Sequence, residues 1–160
     1  MTALLYGAIV FCCGYIGFLV SSSYRAKYRY FYELNLLIEK LNVDIGYFQT
    51  KLSDVLSSFK SSEIKSTILA YVKFLGSDGT VSLERVLKSV EIPDKERSSV
   101  VSFFSALGGA DVEEQKKMLA SYATIFRQAE NYRKQDYEKK GKMYFKLSIF
   151  LGIGIVILLL

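Results

Sequence analysis

The sequence predicts an all-α protein: a compact helical bundle with one transmembrane helix on its N-terminal side and another on its C-terminal side. All 21 Lys and Arg residues and all 16 Asp and Glu residues lie between Arg25 and Lys146, so the segments outside them carry no charged side chain. Apolar residues between these limits recur at steps of three and four, the spacing of one helix face. The chain has one proline, Pro93, and this scarcity together with the helical spacing disfavours an all-β domain.

The predicted organisation has three parts: a transmembrane helix over 3–20, a helical bundle over 24–142 and a second transmembrane helix over 143–160. Residues 3–20 are eighteen uncharged residues, which is long enough to cross the hydrocarbon core of a bilayer. A cleaved signal peptide is the alternative, with Ser21 and Ser23 resembling a cleavage site. No Lys or Arg precedes this apolar run, however, and basic residues follow it at once. We therefore expect a retained anchor.

Basic and tyrosine residues flank the inner ends of both apolar segments. This arrangement follows the positive-inside rule and predicts that the helical bundle is cytoplasmic. Tyrosine rings with polar hydroxyls suit the headgroup layer, and basic neighbours there gain from anionic lipid. We expect membrane lipids and no nucleic acid as partners of this basic protein, whose net charge is +5. The predicted interface anchors are Tyr24, Arg25, Lys27, Tyr28, Arg29, Lys139, Lys140, Lys142 and Lys146.

Small residues recur on one stripe of the first apolar segment at helical spacing. Small side chains on one face allow a second transmembrane helix to approach closely, so the stripe is a candidate packing surface. Glycine and alanine are also common in membrane helices without such a role, and the residues leave the two interpretations open. The stripe consists of Ala3, Gly7, Gly14, Gly17 and Ser21.

The central part divides into five or six helices. The first has an unbroken apolar face, a short helix follows from Leu52 to Phe59, and a third covers Glu63 to Leu75. Gly76 to Gly79 reads as a turn, since it lacks the spacing of a phosphate-binding loop. Asp111 with Glu114 three residues later has the spacing of a helix N-cap. The first face consists of Phe31, Leu34, Ile38, Leu41, Ile45 and Phe48, and the last of Met118, Tyr122, Ile125, Ala129 and Tyr132.

No catalytic constellation stands out in the sequence. The chain has no histidine, and its two cysteines, Cys12 and Cys13, are adjacent within the first apolar run. The acidic pairs lie at predicted helix starts, where carboxylates interact favourably with the helix dipole. We therefore expect a non-enzymatic protein with no catalytic residue, no cofactor and no metal, although a Lys or Ser nucleophile is not excluded by residue type.

A pattern of Leu107, Gly108, Asp111 and a spaced Gln115 leads into a helix rich in Lys and Glu. Together with the segment from Ile45 to Leu56 and the glycine-containing apolar segments, this pattern resembles the stage III sporulation protein AB family of endospore-forming bacteria. The resemblance covers most of the chain, and Lys51 stands where that family usually has proline.

The resemblance implies a helical domain related to the type II secretion F-type inner-membrane platform protein. It further implies a role in the channel between mother cell and forespore, in the outer forespore membrane with the central domain on the mother-cell side. Its partners would be a secretion-type ATPase on the cytoplasmic side and other membrane proteins of the sporulation channel.

The residues and the resemblance together leave three classes of function open. The first is a non-enzymatic platform that couples the ATPase to membrane rings, and the second is a membrane-anchored adaptor or regulator for an unrelated cytoplasmic partner. The third, an enzyme acting on lipids or nucleotides, is the least favoured. Two charged helix faces are candidate docking surfaces, although such faces are usually only solvated. Their residues are Glu33, Glu39, Lys40, Glu113, Glu114 and Lys117.

Overall fold

A computed structural model describes residues 2–44, 52–76, 83–88, 94–108 and 111–159. The described ranges are helices and their connections and contain no strand, which confirms the predicted all-α class. The predicted turn residues 77–79, Pro93 and the apolar positions Ile45 and Phe48 lie outside the described residues.

Seven α-helices and two short turns of other helix types follow one another along the described chain. The helices are α1 (Thr2–Val43), α2 (Leu52–Ser58), α3 (Lys65–Leu75), α4 (Leu83–Lys88), α5 (Arg97–Ala106), α6 (Val112–Asp136) and α7 (Lys142–Leu159). A 3₁₀ turn, Asp94–Glu96, precedes α5, and a π-helical turn, Tyr137–Gly141, joins α6 to α7. The chain therefore continues as a helix through Gly141, which is the last residue of this single, wider π-helical turn.

The chain divides into two compact units. The terminal unit consists of Met1–Arg29 and Glu130–Leu160, and the central unit is Tyr30–Ala129. Both divisions fall inside helices, α1 and α6. The sequence assigned residues 24–29 and 130–142 to the bundle. In the structure they belong to the terminal unit, together with the apolar segments. The predicted membrane boundaries near residues 20 and 143 concern the bilayer and stay predictions.

The central unit is built around the apolar face of α1. Phe31, Leu34, Ile38 and Leu41 are buried, as the three-and-four spacing predicts. Ile64, Ile68 and Tyr71 of the α3 segment, Val55 and Leu56 of α2, and Val100, Phe103 and Phe104 of α5 complete most of the core. Burial of so many large side chains supplies the main stabilisation of this unit.

The buried face of α6 differs from the predicted one. Leu119 and Phe126 are buried, whereas Ile125 is 43% exposed and Tyr132 belongs to the terminal unit. Met118, Tyr122 and Ala129 are partly buried against the core. Phe126 rather than Ile125 faces the core, because its ring packs edge-on against Phe103, with 5.5 Å between ring centroids. Aromatic pairs in this geometry add stabilisation beyond that of the apolar area they bury.

Two helices are long and apolar enough to cross a membrane by length and composition, within Tyr6–Val43 and Val112–Leu159. In each, 6% of the most apolar window is buried, so neither resembles the core helix of a soluble domain. Large apolar side chains such as Phe11 and Phe150 are exposed in these windows. Such faces are compatible with a lipid environment.

Candidate membrane anchor and interaction surfaces

In the terminal unit, α1 and α7 approach closely at two glycines. A methyl group added to Gly17 would collide with the Ser148 side chain. One added to Gly152 would lie 3.1 Å from the Cys13 Cβ and 3.2 Å from the Val10 Cα. Glycine at both positions therefore lets the helix backbones approach, as small residues do between membrane helices.

The structure brings only part of the predicted small-residue stripe to α7. Gly17 lies in the contact just described and Ser21 lines a neighbouring cavity. Gly7 and Gly14 have no heavy atom within 4 Å of an added Cβ, and the side chain of Ala3 is outside the described set. Gly152 was not among the predicted packing residues. The only sequence feature that could have indicated it is that it is a small residue within an apolar helix.

A third close approach lies at the π-helical turn. A Cβ on Gly141 would be 2.9 Å from Cδ2 of Tyr137 and 3.2 Å from Cβ of Tyr24. The ring of Tyr24 also stacks on that of Tyr144, with 6.3 Å between centroids. Tyr24, a predicted interface anchor, is therefore held by contacts with the C-terminal helical segment.

The other predicted interface anchors lie in the terminal unit as well. Lys140 pairs with Asp136 at 2.9 Å, and Lys142 Nζ lies 5.7 Å from the centroid of the Tyr137 ring. Tyr28 is half-buried, and the remaining basic anchors are exposed; these are Arg25, Lys27, Arg29, Lys139 and Lys146.

Positive charge is concentrated in the terminal unit. It contains nine basic and three acidic side chains, a net charge of +6, whereas the central unit, with twelve basic and thirteen acidic ones, carries −1. The chain's excess of positive charge is thus confined to the unit that contains both apolar segments. This distribution favours attraction to anionic lipid headgroups over a basic surface on the helical bundle.

A cavity of about 400 Å³ opens in the terminal unit. Its walls come from α1, the π-helical turn and α7. The lining residues are Phe18, Ser21, Ser22, Arg25, Tyr137, Lys142, Phe145 and Lys146.

The family-motif residues build the junction between α5 and α6. The Leu107 carbonyl accepts a 3.1 Å hydrogen bond from the Tyr71 hydroxyl, and Gly108 adopts a positive φ of 84°. Asp111 Oδ1 accepts a 2.8 Å hydrogen bond from the Glu114 backbone amide. Asp111 is therefore the helix N-cap, as predicted. Gln115, next along α6, is buried. These four residues therefore form the start of α6 within the central unit.

Burial perturbs the hydroxyl at this junction. Tyr71 is 1% exposed. Burial disfavours the charged form of its hydroxyl and raises the pKa of Tyr71 from 10.0 to about 12. A second buried hydroxyl, that of Tyr30, shares a 3.1 Å hydrogen bond with Thr67 Oγ1. Both contacts tie α3 to neighbouring elements of the central unit.

The candidate docking residues fall into two groups. Glu33 is 8% exposed, and its carboxylate binds three backbone amides and a serine hydroxyl at the start of α3. It therefore stabilises the fold and presents no free charge to a partner, which removes it from the predicted docking surface. Sequence spacing placed Glu33 off the apolar face but could not reveal this partner segment.

The remaining docking candidates are on the surface of the central unit. Glu39 lies 3.7 Å from Arg127, and Lys40 donates a 2.8 Å hydrogen bond to Ser58 Oγ. Glu113 pairs with Lys116 at 3.6 Å. Glu114 and Lys117, on the first two turns of α6, are exposed.

The site is thus a pair of apolar helices with basic flanks, joined to a helical unit with a charged surface. Neither the curated proteins nor the solved structures compared with this chain include a match. The family model for stage III sporulation protein AB, in contrast, matches residues 3–160. This sporulation-related chain therefore belongs to the stage III sporulation protein AB family.

Proposed function

We propose that the protein is a non-enzymatic platform of a sporulation-specific, secretion-like channel between mother cell and forespore. In this proposal the apolar parts of α1 and α7 anchor it in the outer forespore membrane, and the central unit lies in the mother-cell cytoplasm. The observation that carries the proposal is the concentration of positive charge beside two candidate membrane spans. Family membership and the positive-inside rule support it.

The proposed partners are a secretion-type ATPase in the cytoplasm and the ring-forming membrane proteins of the channel. The start of α6 is the docking surface that we favour for the ATPase. Glu113, Glu114 and Lys117 are exposed there, on a helix whose first turn is ordered by the Asp111 cap. A capped helix start presents its charges in a defined geometry, which favours specific electrostatic recognition.

The orientation is tested by cysteine labelling. With Cys12 and Cys13 replaced by alanine the chain has no cysteine, and Ser66→Cys then adds one at an exposed position of α3. We expect a membrane-impermeant thiol reagent to label it only after the cells are opened. Labelling on intact cells would place the central unit outside and overturn the proposal. The cysteine-free chain is the control for background labelling.

ATPase coupling is tested by co-purification of the full chain with the cognate secretion-type ATPase from co-expressing membranes. Glu113→Lys with Glu114→Lys should reduce recovery of the ATPase about tenfold, as loss of complementary charge does at an interface. Asp54→Lys with Glu84→Lys is the matched control, since it makes the same charge change at exposed positions elsewhere.

Two outcomes would contradict the proposal. No recovery of ATPase with the unmodified chain would reject the platform proposal. Equal loss with both double variants would show that overall charge matters and that the α6 start is not the docking surface. Because Glu113 and Glu114 also lie in the first turn of α6, thermal unfolding must show that the variants remain folded.

A further inference from the structure

The cavity in the terminal unit lies between two close approaches of α1 to the C-terminal helical segment. Gly17 meets Ser148 on one side, and Gly141 meets Tyr24 on the other. Glycine at these positions allows the helices to approach closely, and a space of about 400 Å³ lies among the larger side chains near them.

The charge around this cavity is of one sign. Arg25, Lys142 and Lys146 line it, and no carboxylate is among its lining residues. In the described part of the chain none of these three cations forms an ion pair with an acidic side chain, and Asp136 is held by Lys140. Three like charges around one space repel each other, so an anion placed among them is stabilised.

The uncharged lining has two kinds of side chain. Ser21, Ser22 and Tyr137 supply hydroxyl groups, which can donate to or accept from a phosphate and its glycerol. Phe18 and Phe145 supply apolar rings, which suit acyl chains better than water. A wholly water-soluble anion would make no use of these rings.

The position along the chain agrees with this chemistry. Phe18 belongs to the uncharged segment predicted to enter the membrane, and Arg25 belongs to the basic flank that follows it. The same change of character, in reverse, occurs on the C-terminal side, where Lys142 and Lys146 flank Phe145 and the uncharged segment begins after Lys146. The cavity thus lies where headgroups meet acyl chains if the segments span a bilayer.

We propose that this cavity binds one anionic phospholipid, with its phosphate among Arg25, Lys142 and Lys146. The guanidinium of Arg25 can hold two phosphate oxygens at once, and the two ammonium groups act as point charges. The acyl chains leave along Phe18 and Phe145. This inference rests on the proposed membrane anchoring, but it is independent of the ATPase.

The test is native mass spectrometry of the full chain released from a neutral detergent, with phosphatidylglycerol and phosphatidylcholine added as competing lipids. We expect one phosphatidylglycerol to remain bound in preference to phosphatidylcholine. Replacing Arg25, Lys142 and Lys146 by glutamine should lower that preference about tenfold or more, given the contribution of each basic residue to anionic-lipid binding. Ser21→Phe, which places a larger side chain in the cavity without changing its charge, should also lower the preference.

The matched control carries glutamine at Lys27, Lys134 and Lys139. These three residues are exposed in the same unit, do not line the cavity and change the net charge equally. We expect this variant to keep its lipid preference. Equal loss in both triple variants would overturn the site and leave only diffuse attraction. Circular dichroism must show the same helix content in all variants.

A second arm distinguishes lipid from free phosphate. Soluble glycerol phosphate in large excess should not displace phosphatidylglycerol, because it cannot occupy the phenylalanine-lined part. Complete displacement would overturn the lipid assignment in favour of a small anion. If the unmodified chain failed to enter membranes at all, the proposed anchoring would fail, and that result is read from membrane fractionation rather than from lipid preference.

Discussion

The carboxylate of Glu33 on α1 accepts a hydrogen bond from the backbone amide of Ile64, thirty-one residues away, at 3.3 Å. The same carboxylate binds the amides of Ser62 and Glu63 at 3.1 and 2.9 Å. A helix start leaves its first amides without partners inside the helix, and an acceptor from elsewhere can satisfy them. Glu33 therefore caps the segment that enters α3 and joins it to the core face of α1.

Replacing Glu33 by alanine should lower the free energy of unfolding by about 2 kcal/mol, since it leaves one buried and two part-buried amides without this acceptor. Chemical unfolding of the full chain in detergent, followed by circular dichroism, measures this change. Glu39→Ala is the matched control on the same helix. Glu39 is 63% exposed and 3.7 Å from Arg127, so its loss should cost less than about 0.5 kcal/mol. Equal effects of the two variants would contradict the capping role.

Gly108→Ala should destabilise the junction between α5 and α6. Gly108 has a φ of 84°, and an added Cβ would lie 3.4 Å from Leu52 Cδ2. A side chain in this backbone region costs about 1–2 kcal/mol. Gly76→Ala is the control, because Gly76 has a φ of −85° and its nearest new contacts would be 3.8 Å away. We expect the control to be neutral or slightly stabilising. An equal fall in the unfolding temperature of both variants would be inconsistent with strain at Gly108.

Gly152→Cys should form a disulfide with Cys13 in a chain that also carries Cys12→Ala. A Cβ at residue 152 would lie 3.1 Å from the Cys13 Cβ. This is slightly shorter than the roughly 3.5–4.5 Å usual in disulfides, so a small separation of the two helices would bring the pair into bonding range. Mild oxidation with copper phenanthroline in membranes, followed by thiol alkylation, measures pairing. Gly154→Cys is the control, since an added Cβ there has no neighbour within 4 Å. Pairing at 154 but not at 152 would refute the observed packing of α1 and α7.

Raising the pH above 10 should reduce the stability advantage of the wild-type chain over Tyr71→Phe. Burial raises the pKa of Tyr71 from 10.0 to about 12, so the folded state binds this proton more tightly than the unfolded state. Its contribution is therefore complete below pH 10 and is lost as the pH rises towards 12. Thermal unfolding of both chains at pH 9, 10 and 11 measures the difference. A constant difference across this range would exclude the linkage.

Local patterns in the sequence were enough to predict several elements. The three-and-four spacing from Phe31 to Leu41 identifies a buried helix face without knowledge of its partners, and these residues are buried. The Asp111 N-cap was predictable because its acceptor and donor are three residues apart. In contrast, the predicted face of α6 was wrong at Ile125, although Met118, Tyr122 and Ala129 do pack against the core. Ile125 and Phe126 are both apolar, and only the rings of the core distinguish them.

The sequence by itself determined the helical class, the two apolar segments and the basic residues beside them. These follow from composition and from spacing within one helix, which are local properties. Only the tertiary structure decided that Glu33 binds the segment leading into α3, that Gly17 but not Gly14 contacts α7, and that Arg25 and Lys142 share a cavity. Each of these depends on which distant segment packs against a residue, and periodicity along one helix carries no information about its partner.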